Sequence, residues 1–123
     1  MPLQPLRQIH SHEINPANAS ITITVADEPG AGGANHLYVL EPQNGNPHTL
    51  EFQNGPINEV GVNGITHEAL LAVLVDRLKG FQSGPYACRE NAIALTKLEE
   101  AQMWLQQRTR QRIERGVEGT HAI

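Results

Sequence analysis

At 123 residues the chain has the length of one domain, or of a small sheet and a helical hairpin that share a core. Thirteen acidic against nine basic residues leave a formal charge of −4, which excludes DNA or RNA polymers as bulk partners, since these need a basic face. A single cysteine excludes an intrachain disulfide framework, and no apolar run reaches the roughly 18 to 20 residues that span a bilayer. The first residues lack the basic start and apolar stretch of a signal peptide, so a cytoplasmic protein is expected.

Residues 1–19 mix Pro2, Pro5, Pro16, Asn15 and Asn18 without periodicity and read as an arm that orders only by docking. Ile21-Thr22-Ile23-Thr24-Val25 alternates β-branched residues, a strand pattern. Glu28-Pro29-Gly30-Ala31-Gly32-Gly33 is a loop by its composition. His36 to Leu40 and His48 to Phe52 read as two further strands. The segment Pro42-Gln43-Asn44-Gly45-Asn46-Pro47 joins them, with Asn-Gly favouring a hairpin turn. A small antiparallel sheet of about three strands follows.

Past Asn54-Gly55-Pro56, a helix starts at a marked site. Thr66 caps it, Glu68 lies in its first turn, and Ile65 and Leu70 have hydrophobic-staple spacing. It runs through Leu70, Leu71, Val73, Leu74, Val75 and Leu78 to Gly80, read as the C′ residue. Ser83-Gly84-Pro85 restarts a helix with Pro85 near its first turn, and this second helix continues to about Arg115. The helices are unequal, about 14 residues (roughly 21 Å) against about 30 (roughly 45 Å). Folded back, the first covers half of the second, and Met103, Trp104 and Leu105 on the overhang need cover from the sheet or a second chain.

The second helix carries a heptad-spaced stripe: Ala87, Asn91, Ala94, Leu98, Ala101, Leu105, Arg108 and Arg112. Its apolar middle suits a facing helix, while its ends place an amide and two guanidinium groups on the same seam. Such groups need protein partners or a polar, anionic ligand. Arg108 and Arg112, one turn apart, can present two forks to neighbouring phosphates. The competing reading is a solvated last turn whose cations complement the helix dipole. Asn91 and Arg108 lie roughly 25 Å apart along one helix, so one ligand reaches both only across two antiparallel chains. A twofold dimer would hold two such pockets.

Other chemistry is thin. His10-Ser11-His12-Glu13 has too few ligands for a closed zinc site. Cys88 beside Arg89 at a helix start resembles a nucleophile environment, but His67 sits at the far end of the hairpin and supplies no base. Glu99 and Glu100 read as a solvated face, and no phosphate-loop, dinucleotide or Gly-x-Ser-x-Gly pattern occurs. No catalytic set, metal or cofactor is expected.

The ordered segments Asn63-Gly-Ile-Thr-His-Glu-Ala-Leu-Leu, Arg77-Leu-Lys-Gly-Phe-Gln, Ala87-Cys-Arg-Glu-Asn-Ala, Leu98-Glu-Glu-Ala, Arg108-Thr-Arg-Gln-Arg and Gly116-Val-Glu-Gly-Thr-His resemble the helical hairpin of phage anti-Thoeris sponge proteins. That hairpin is related to the one in phage anti-CBASS cyclic-nucleotide sponges. The resemblance covers about residues 50 to 121. It implies a non-enzymatic binder, in the cytoplasm of an infected bacterial host, that captures the cyclic ADP-ribose isomer made by TIR-domain proteins. It assigns purine stacking to Phe81, a ligand contact to Asn91 and diphosphate binding to Arg108 and Arg112. Thr120 is expected as a further donor to phosphate.

Some relatives are hexamers with a separate site for cyclic di- or trinucleotides, for which Arg89 and the Gln53-Asn54-Gly55 turn are candidates. The alternative for Arg89 is an exposed partner of Glu90 or Glu68. The expected fold is α+β: a small antiparallel sheet with an arm over 1–60 and an unequal helical hairpin over 61–123, in a symmetric homo-oligomer. Two other functions remain open, a cyclic-oligonucleotide sponge against CBASS and a structural or regulatory phage protein with solvated arginines.

Overall fold

A computed structural model describes residues 7–121, so Pro2 and Pro5 of the expected arm lie outside the described residues. The chain divides between Gly64 and Ile65 into two compact units. The fold is α+β, with an antiparallel sheet in the first unit and two long helices in the second.

The sheet has four strands in the order β1 (Arg7–Ile9), β2 (Ile21–Val25), β3 (Leu37–Pro42) and β4 (His48–Glu51), each antiparallel to the next. Partners in register share a face, giving one row of Ile9, Ile23, Leu40 and His48 and another of Arg7, Val25, Tyr38 and Leu50. The opposite face carries Gln8, Thr22, Thr24, Val39, Glu41 and Thr49. This alternation is that of a sheet with one face toward a core and one toward water. Val25 is fully buried, and Tyr38 meets Phe52 edge-on at 5.7 Å.

The arm is more ordered than its sequence suggests. β1 forms from Arg7, Gln8 and Ile9 by pairing with Val25, Thr24 and Ile23, giving the sheet a fourth strand. The one-turn helix α1 (Pro16–Ala19) follows, with Pro16 at its start and the Asn15 side chain accepting a hydrogen bond from the Asn18 backbone N–H at 3.3 Å. His10 lies 3.0 Å from Glu13, and a His12 ring nitrogen lies 2.6 Å from the Ile21 carbonyl oxygen. These histidines are thus engaged in local contacts within the first unit. Between β3 and β4 the Gly45 N–H donates to the Pro42 carbonyl at 3.2 Å, so Asn44-Gly45 ends a turn instead of forming its centre.

A short helix, α2 (Ile57–Val60), completes this unit. Gln53, Asn54 and Asn63 knit its flanks: the backbone N–H of Asn54 donates to Asn63 Oδ1 and Asn63 Nδ2 donates to the Asn54 carbonyl, both at 2.8 Å. Gln53 Oε1 accepts from the Asn63 N–H at 2.9 Å.

In the second unit, helix α3 (His67–Gln82) begins where Thr66 Oγ1 accepts from the Ala69 N–H at 3.1 Å, as expected of a cap. It runs past Gly80 and ends at Ser83, correcting the reading of Gly80 as C′: this glycine is an interior helical residue. Helix α4 (Arg89–Glu114) starts after Cys88, which is its N-cap. Ala87 and Pro85 therefore precede the helix. At 16 and 26 residues the helices are roughly 24 and 39 Å long, still unequal.

The two helices pack along heptad seams. On α3 the sheltered positions include Glu68, Leu71, Val75, Leu78 and Gln82; on α4 they are Asn91, Leu95, Leu98, Gln102, Leu105, Thr109 and Arg112. Four members of the expected stripe are present, namely Asn91, Leu98, Leu105 and Arg112. Ala94, Ala101 and Arg108 are instead exposed, on the neighbouring edge. Leu95, Gln102 and Thr109 take their places: a leucine buries more apolar area than an alanine, and Thr109 finds hydrogen-bond partners on the seam. The Thr109 hydroxyl, for example, donates to Glu68 Oε2 at 3.3 Å and to the Leu105 carbonyl at 3.2 Å. Along one edge, Lys79 and Glu99 pair at 3.7 Å.

Candidate ligand-binding site

At the bend of the hairpin, Gln82 reads the backbone of Cys88 in both directions: Nε2 donates to the carbonyl at 3.1 Å and Oε1 accepts from the N–H at 3.0 Å. This pair of hydrogen bonds fixes the entry into α4. Cys88 Sγ in turn accepts from the Asn91 N–H at 3.4 Å, so Asn91 is the third residue of the helix, half-buried on its inner seam. Phe81, also half-buried, lies in the last turn of α3. Arg77 places its guanidinium carbon 5.0 Å from the Phe81 ring centroid, and Tyr86 sets its ring 6.3 Å away at a tilt of 49°. Sequence reasoning passed over Arg77 and Tyr86. The signal for Arg77 was its spacing of one helical turn from Phe81.

The other end of α4 carries the arginines. Arg108 is exposed, whereas Arg112 is buried at 7% accessibility. Its Nη2 donates to the carbonyls of Val117 at 2.9 Å and Thr120 at 3.1 Å, and its Nε lies 3.5 Å from the Glu118 carboxylate. Gly116 at φ +71° and Gly119 at φ +82° let the chain turn back over the helix end, conformations that favour glycine. The Thr120 hydroxyl donates to the Val117 carbonyl at 2.5 Å. Much of the polarity of this seam end is therefore answered by the tail.

The structure brings Phe81 and Asn91 to one end of the hairpin and Arg108, Arg112 and Thr120 to the other. Arg89 is exposed and lies 3.5 Å from Glu90. Asn54 belongs to the first unit, where its Oδ1 accepts from the Ala31 N–H at 3.3 Å. The donors at both ends are amides, hydroxyls and guanidinium groups, which bind anions and flat polar rings.

An unequal helical hairpin with an aromatic ring at its bend and arginines at its open end places the chain among hairpin-domain proteins. The family model described as "Acb2/Tad1, hairpin domain" matches residues 48–110, more than half of the chain. The chain belongs to that family, which is the one expected from its sequence. It is also similar to Thoeris anti-defense 1 of Bacillus phage SBSphiJ7, at 49% identity over 92 residues. That alignment spans 75% of this chain and 65% of the relative, just under two thirds of the latter's length.

Proposed function

We propose that the protein is a phage anti-Thoeris sponge: it binds a TIR-generated cyclic ADP-ribose isomer in the cytoplasm of the infected host and withholds it, without turnover, from the downstream effector. The family match carries this reading, together with the likeness to a protein named for Thoeris anti-defence. In this account Phe81 stacks on the purine, Asn91 contacts the ligand, and Arg108, Arg112 and Thr120 hold the diphosphate. These groups supply a π-face and hydrogen-bond donors and no nucleophile–base pair, so they retain a ligand without breaking it.

Because the two sets lie at opposite ends of one hairpin, each pocket takes Phe81 and Asn91 from one chain and the arginines from another. A twofold arrangement then gives two identical pockets. Native mass spectrometry with a panel of cyclic ADP-ribose isomers and cyclic oligonucleotides tests the reading. The expected result is an even number of subunits carrying one cyclic ADP-ribose molecule per subunit. A monomer that binds fully contradicts the shared pocket. Binding of cyclic oligonucleotides alone makes the protein an anti-CBASS sponge instead.

A further inference from the structure

Phe81 has a partner to which the functional reading gives no role. Arg77 stands one helical turn before it on the same face of α3, with its guanidinium carbon 5.0 Å from the ring centroid. That separation is within the range over which the negative face of an aromatic ring attracts a cation. Phe81 is only half-buried, so packing does not enclose the ring by itself. Tyr86 borders it at 6.3 Å, but its 49° tilt keeps it from lying flat on either face.

We propose that Arg77 is a positioning residue for ligand stacking: it holds Phe81 by one face and leaves the other face for the flat ring of a purine-bearing ligand. The inference rests on the sponge reading above. A ring fixed before the ligand arrives loses less freedom on binding, so the guanidinium contributes to affinity without touching the ligand. The same cation also attracts an anionic ligand over a longer range, and an Arg77 variant alone mixes the two effects. A double-mutant cycle separates them.

The experiment titrates cyclic ADP-ribose calorimetrically into wild-type protein, Arg77→Gln, Phe81→Leu and the double variant, with thermal melts to establish folding. With Phe81 present, Arg77→Gln weakens binding about two- to fivefold, the strength of an exposed cation–π contact. In the Phe81→Leu background the same change has a clearly smaller effect. Arg77→Lys, which keeps a cation over the ring, retains more affinity than Arg77→Gln. Equal losses in both backgrounds, no loss at Arg77, or wild-type affinity in Phe81→Leu each overturn the inference while ligand binding itself stands. Failure of the wild-type protein to bind any cyclic ADP-ribose isomer of the panel overturns the sponge reading, and this inference with it.

Discussion

Arg108 and Arg112 are one helical turn apart yet sit in opposite surroundings, one exposed and one buried beneath the C-terminal turn. Arg112→Ala removes the guanidinium's hydrogen bonds to the Val117 and Thr120 carbonyls and its ion pair with Glu118, which costs about 1 to 3 kcal/mol of stability. Arg108→Ala changes stability by no more than about 0.5 kcal/mol, as surface substitutions do. Both weaken ligand binding by about 1.5 to 3 kcal/mol, the scale of a charge-assisted hydrogen bond. Urea denaturation beside calorimetry checks this split. Equal stability losses, or unchanged binding in both folded variants, would contradict it. The sequence marks the two arginines as a pair but hides their difference. That difference depends on a tail that turns back through Gly116 and Gly119.

Among the elements, those with a local signal were legible and those made by pairing were not. The Thr66 cap is written in a side chain that satisfies its own helix end, and β2 in its Ile-Thr alternation. β1 has no such pattern: Arg7-Gln8-Ile9 becomes a strand because β2 offers it an open edge. The sequence pattern places the α4 stripe out of phase at three positions because alanine fits either face and Gln102 and Thr109 disguise the seam. Gly80 has the signature of a helix stop, but the helix continues through it, and a Cβ added there meets nothing within 4 Å. Gly80→Ala should therefore stabilise the protein by about 0.5 to 1 kcal/mol, by removing backbone freedom from the unfolded chain. An unchanged or lowered urea midpoint would show that a close neighbour occupies that space.

At the scale of the whole molecule, apolar surface is in excess. Among the described residues, Val25, Ala26 and Val75 are the buried apolar positions, whereas Val73 is 63%, Met103 50%, Trp104 62% and Ile113 61% exposed. Exposed apolar side chains in such number on a hairpin support the proposed association of chains. They fall on the two helices that carry the residues proposed to bind ligand, so the proposed shared pocket predicts that assembly and binding are coupled. The unequal helices and their overhang were legible in the sequence, from capping and turn residues alone. What covers the overhang was not, because capping and turn residues carry no information about packing partners.

Sequestration without turnover is tested most directly by the fate of the ligand. Excess cyclic ADP-ribose is incubated with the protein for hours, the protein is heat-denatured, and the released material is resolved by chromatography. The account predicts stoichiometric capture and full recovery of unchanged cyclic ligand that again activates the downstream effector. Steady conversion to a linear product would make the protein an enzyme and contradict the account.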